Sequence, residues 1–198
     1  MSSAKPLIVQ AGNPVLRQRA RALSVAEIRS REIQKLIKDM RVRMHDAPGV
    51  GLAAPQLGLA LQLAVIEDRE EYHKDVSQEL LRERERRPVP FHVIINPTLE
   101  EIGAEKAEFF EGCLSLSGFS ALVQRARRVR VTCVDEHAER KVIEATGWYA
   151  RILQHEVDHL NGTLYIDHMY SRSFATMENL AEFWKGKPVK AIRAELES

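Results

Sequence analysis

The chain reads as an α+β domain in which antiparallel β-sheets surround one central helix, with an N-terminal helix before them and a C-terminal extension after. Three observations predict this. Short runs at strand spacing, Phe91–Ile95, Thr98–Ile102, Ala107–Phe110, Phe119–Val123, Val129–Val134 and Lys141–Glu144, follow one another across turn residues such as Asn96-Pro97 and Gly103. Trp148–Leu160 is apolar enough for a central helix, with Thr146 as candidate N-cap and Asn161-Gly162 as its stop. The length, 198 residues, suits a single domain over residues 1–198 and is short for two.

In chain order, Leu7-Ile8-Val9 is a short apolar run closed by Gly12-Asn13-Pro14 and reads as a segment lying on the domain body. Ser24 and Glu27 form a capping box, and Ile33, Leu36, Ile37, Met40 and Met44 recur at helical spacing, which predicts one helix from about Val25 to His45. His45 reads as a surface or capping residue. The small, apolar Gly49–Gln56 stretch lets backbone approach something closely, and Gln56, a lone amide ending that run, is either wet or given a task. Ala60 to Ile66 reads as a mostly buried strand. Residues 67–90 are nearly all charged or polar up to the closing Pro88 and Pro90, and read as an exposed, solvated insertion with one short helix near Ser77–Arg84. Val129, Val131 and Cys133 alternate with Arg128, Arg130 and Thr132, so Cys133 falls on the buried face of its strand. Residues 170–198 form the extension; from Met177 on it carries Lys185, Lys187, Lys190 and Arg193. It reads either as a helix contacting the ribosome or a second copy of the chain, or as a loosely docked solvated tail.

Lys+Arg 29 against Asp+Glu 28 removes any global field toward nucleic acid or an anionic membrane. No apolar run approaches a membrane span, and Met1–Pro6 has neither a signal core nor a transit-peptide pattern, so the expectation is a cytoplasmic protein. Two cysteines make no disulfide framework.

The chemistry concentrates in Gln154-His155-Glu156-Val157-Asp158-His159-Leu160. On a helix, His155 and His159 share a face one turn apart, where two imidazoles can grip one cation, and Glu156 can reach a water on it. Cys113, in Glu111-Gly112-Cys113-Leu114-Ser115, is the candidate third ligand; two imidazoles and a thiolate leave one tetrahedral position open, as a catalytic site requires. The rival reading makes Cys113 a nucleophile beside His155, which leaves His159 without a role.

With Gly49–Gln56, Glu111–Ser115 and Gln154–Leu160 present in that order, the chain resembles the peptide deformylases from about Pro6 to Met169, including Asn13–Arg17. The resemblance implies that Cys113, His155 and His159 hold one divalent metal, iron(II) in the family, while the ligand set would accept zinc, cobalt or nickel as readily. It implies Glu156 as the proton carrier and Gln56 with the Leu114 N–H as oxyanion donors. The implied reaction removes the formyl group from N-formylmethionyl nascent peptides and releases formate. Val50, Gly51, Gly112, Trp148 and Ile152 match the methionine pocket, Trp148 as the bulky ring that narrows it, and Arg125 is the implied partner of Asp158. Pro48 and Ser120 depart from an acidic residue and an arginine found in many bacterial members. Pro55 and Ser117-Gly118-Phe119 look like the branch that includes organellar enzymes, and a bacterial member of that branch fits. The competing readings are a metallopeptidase acting on internal bonds and a non-catalytic metal-binding or ribosome-associated module.

Overall fold

A computed structural model describes residues 7–74 and 76–197; Met1–Pro6, on which the expectation about leader peptides rests, lies outside them. The strands are β1 Gly51–Ala53, β2 Leu63–Asp68, β3 Val89–Glu101, β4 Lys106–Gly112, β5 Phe119–Ala126, β6 Arg128–Val134, β7 Arg140–Thr146 and β8 Ala175–Thr176. The helices are α1 Val25–Ile28, α2 Arg31–Asp46, α3 Gln78–Glu83, α4 Gly147–Leu160, α5 Met177–Asn179 and α6 Val189–Glu197. One sheet runs β1-β2-β3-β6-β7 and a second runs β4-β5-β8, with every pairing antiparallel. The chain is thus α+β as its pattern predicts, with α4 touching strands of both sheets.

The larger sheet is covered on both faces, which explains why β2 is apolar at consecutive positions. Leu63 and Val65 point into the cluster under α2, with Val93 and Ile95 of β3; Ala64, Ile66 and Ile94 point into the cluster under α4, with Val129, Val131 and Cys133 of β6. Helix α2 buries Ile33, Ile37, Met40 and Met44 on one stripe, each contributing about 1.5–3 kcal/mol by the usual transfer scale.

Three expectations change. The single helix at 25–45 is two, because Ser24 caps α1 and Ser30 caps α2, its hydroxyl accepting from Ile33 N–H at 3.2 Å. The runs on either side of Asn96-Pro97 are one strand, β3, with an irregularity between Ile95 and Thr98. Asn96, at φ +51°, carries the chain across while its side chain bonds both backbone groups of Leu23. Ala60 to Gln62 precede β2 rather than belong to it.

The insertion carries a short helix, α3, capped by Ser77, and much of it is exposed, but it is also anchored to the domain body. Asp68 is fully buried beneath a bidentate Arg86 pair, both contacts 2.8 Å, and Glu85 pairs with Arg127. The C-terminal segment is likewise docked: β8 pairs with β5, α6 buries Ile192, and Arg193 pairs with Glu108 while lying 3.8 Å from the Tyr170 ring centre. No helix among the described residues is long and apolar enough to cross a membrane.

Candidate active site

Helix α4 enters the core with Ala150, Leu153 and Leu160 buried, and this sets His155, Glu156 and His159 at the bottom of a cleft. Thr146 occupies its N-cap position without a side-chain cap bond, and Asn161 closes its far end. Its rotation is set by Gln154: the amide oxygen accepts from Ala126 N–H and the amide nitrogen donates to Ala126 C=O, both at 2.9 Å. Cys113 comes from the turn between β4 and β5. The candidate ligand atoms of Cys113, His155 and His159 lie within 4.8 Å of one another, with Cys113 Sγ and His159 Nε2 3.2 Å apart.

The electrostatics of this cluster favour a cation. Burial alone would lower the His155 ring, but hydrogen bonds and charges from Cys113 and Glu111 outweigh it and raise the ring well above the ordinary imidazole value. Positive charge is therefore stabilised where thiol and imidazole meet. Burial and the charge of His155 keep His159 well below that value, in the neutral form a ligand needs. A thiolate and two imidazoles at this separation fit a divalent metal of the zinc or iron class.

Glu156 is 3% exposed, its Oε2 has no hydrogen-bond partner among the described residues, and burial pushes its carboxyl up to about 7. A carboxyl poised near neutrality is suited to taking up and returning a proton. Gly51 of β1 lies against it: a Cβ built there would sit 2.1 Å from Glu156 Oε1. Gln56 is 2% exposed and fully engaged. Its Oε1 accepts from Ala53 N–H at 2.9 Å, which turns Nε2 toward Cys113 Sγ at 3.5 Å and Ser115 Oγ at 3.3 Å. The amide is thus buried and hydrogen-bonded rather than wet. The N-terminal segment secures both loops, Val9 N–H donating to Gln56 C=O and Ala11 N–H to Ser115 C=O.

A cavity of about 810 Å³ opens over these groups, and Val50, Gly51, Gly112, Trp148 and Ile152 line it together with Gln56, Cys113, Leu114, His155 and Glu156. Pro48 also lines it, whereas Ser120 is buried and donates to Glu111 C=O at 2.8 Å. Arg125 and Asp158 form an ion pair behind the site rather than in the cavity.

Glu111 and Arg151 escape a reading by motif. The Glu111 carboxylate receives Arg125 Nε and Nη2 at 3.0 Å each, Arg151 Nη1 at 2.5 Å and His155 Nδ1 at 3.1 Å. Burial alone would raise this carboxyl, yet His155 and Arg125 hold it well below the usual range. An acid with three basic partners orients the His155 ring through its outer nitrogen. The available signals were the acid two places before Cys113 and an arginine within an apolar helix.

The model of the polypeptide deformylase family matches residues 6–175. The chain belongs to this family. It is 49% identical over 177 residues to the chloroplastic peptide deformylase 1A of tomato (Solanum lycopersicum), covering 89% of this chain and 64% of the relative. Peptide deformylase 3 of Streptomyces avermitilis is 46% identical over 177 residues, 89% of this chain and 77% of the relative. The crystal structure of a class I type b peptide deformylase from Acinetobacter baumannii with Met-Ala-Ser bound is similar at TM-score 0.74 and 29% identity, over 85% of this chain and all of that one. Organellar and bacterial relatives thus both stand near this deformylase-family chain, as its motifs imply.

Proposed function

We propose that the chain is a metal-dependent hydrolase that removes the formyl group from the N-terminal N-formylmethionine of nascent polypeptides. The observation carrying this reading is a buried carboxylate, Glu156, whose Oε2 has no hydrogen-bond partner among the described residues, beside a Cys113–His155–His159 cluster at the base of a largely apolar cavity. A divalent cation held by those three residues would supply Lewis-acid polarisation of the formyl carbonyl and a lowered pKa for water. Glu156 accepts the proton of the attacking water and returns it to the departing methionine nitrogen as the C–N bond breaks, leaving formate and a free amine. Gln56 Nε2 donates to the oxygen on which negative charge develops, joined by the Leu114 N–H of the Cys113 turn. Val50, Trp148 and Ile152 hold the methionine side chain, a thioether suited to an apolar pocket.

Iron(II) is the cation we assign, with zinc, nickel or cobalt as functional substitutes, and the cytoplasm is the compartment where formylated nascent chains would be met. The exposed lysines Lys185, before α6, and Lys190, within it, support a transient ribosome contact, and the same face would serve a homodimer. Formate release from formyl-Met-Ala-Ser, by anaerobically purified, metal-loaded protein, tests the activity. Wild type turns over; Glu156→Ala keeps its metal and does not; Cys113→Ala loses the metal. Absence of turnover in the loaded wild type refutes the reading.

A further inference from the structure

Helix α4 opens beneath the charged insertion. Trp148 N–H donates to Arg84 C=O at 2.8 Å. Gly147, at φ +58°, fits so tightly under the insertion that an added Cβ would lie 2.5 Å from Glu85 Cβ and 2.7 Å from Arg84 O. Above this seam the Arg84 guanidinium carbon is 4.8 Å from the centre of the Trp148 ring and 5.4 Å from that of Phe109. Arg86 lies 5.4 Å from the same Trp148 ring, and Arg151 lies 5.3 Å from Phe109. Cations and rings therefore alternate in the order Arg86, Trp148, Arg84, Phe109, Arg151. One end is tied to the buried Asp68 through Arg86, the other to Glu111 through Arg151.

Arg84 is the informative member. It makes no ion pair among the described residues, and its Nε is buried without a hydrogen-bond partner, so the two rings are the contacts that compensate its burial. A guanidinium held in that way fixes the rings as much as they fix it, because its planar face matches theirs. Trp148 is also a wall of the substrate cavity, and Arg84 is not among the residues that line it.

We propose that the insertion is a selectivity element of the deformylase site: Arg84, backed by Arg86, positions the Trp148 ring and so sets the bulk of the first side chain the pocket accepts. The inference rests on the deformylase reading for its substrate and on the stack for its geometry. Both arginines are positioning residues, acting through Trp148 rather than on the reacting atoms.

The test uses the full-length, metal-loaded protein carrying Trp184→Phe, so that Trp148 is the remaining tryptophan. Into it go Arg84→Ala and Arg84→Lys, the second keeping charge without the planar face. Values of kcat and KM are measured for formyl-Met-Ala-Ser and formyl-Phe-Ala-Ser, and Trp148 emission is recorded without substrate. In Arg84→Ala the kcat/KM preference for methionine over phenylalanine falls about tenfold, through KM, with kcat for the methionine peptide within about twofold. Arg84→Lys recovers part of that preference, and Trp148 emission shifts in Arg84→Ala. An unchanged preference, or an equal loss of kcat on both peptides, overturns the proposal. Failure of the unsubstituted protein to release formate would instead refute the deformylase reading, and the emission measurement still reports whether Arg84 sets the ring's surroundings.

Discussion

Gly51→Ala separates catalysis from stability at a single atom. The new Cβ would stand 2.1 Å from Glu156 Oε1, 2.6 Å from Cδ and 2.9 Å from Cγ, while the backbone of Gly51 is paired in β1 and needs no left-handed conformation. Ordinary carbon contacts begin near 3.5 Å, so the carboxylate must withdraw by about 1.4 Å. Its Oε2 gives up no partner in doing so, and alanine fits a strand slightly better than glycine, which together limit the stability change to about 1 kcal/mol. Misplacing a catalytic group by an ångström costs on the order of a hundredfold, so kcat should drop about 100-fold with metal content and urea midpoint close to wild type. The assay is formate release under saturating peptide, alongside metal quantitation and denaturant melts. A kcat within about threefold of wild type at full occupancy would show that Glu156 does not work from the position adjoining Gly51.

Gln56→Ala removes the amide donor beside the Cys113 cluster and should lower kcat by about 10²–10³, with smaller change in KM; an effect confined to KM would assign Gln56 to binding alone. Glu111→Gln should weaken metal binding about 10–100-fold, measured by competition with a chromogenic chelator, because the His155 ring loses its charged anchor. The same substitution reports on acid stability. Glu111 has its folded carboxyl pulled below the ordinary 4.5, so the folded state binds fewer protons there and stability rises with pH: the contribution is complete above about pH 4.5 and fades as pH falls below it. Urea midpoints of wild type should therefore fall more steeply than those of Glu111→Gln between about pH 5 and pH 3; parallel curves would contradict the assignment.

The chemistry was the most legible part of this chain because it demands fixed residue types at fixed spacing. Two histidines one helical turn apart, with a glutamate between, can be read without knowing what surrounds them, and the lone amide of Gln56 stands out against its apolar neighbours. Strand alternation and the buried side of Cys133 were legible for the same reason, being short-range periodicities. Residues whose role depends on distant partners were not. Glu111, Arg125 and Arg151 are buried because they meet one another, and the local signals they offer, an acid near Cys113 and an arginine within an apolar helix, do not say that they meet. The insertion misleads in the same way: Arg84 and Arg86 look solvated until Trp148 and Phe109 are brought against them from farther along the chain and Asp68 is buried beneath Arg86. The break between α1 and α2 was locally encoded, in Ser30, but a continuous apolar stripe hides a cap placed within it.

Gln154 meets both backbone groups of Ala126 and so takes the place a neighbouring strand would fill. A helix fastened at that point has a pivot, with Trp148 and Ile152 on one arm and His155 and His159 on the other. Exchange of side chains on the first arm leaves the distance from the pivot to the imidazoles unaltered. Descendants of this chain can therefore drift in what they admit without having to rediscover how to hold the ion.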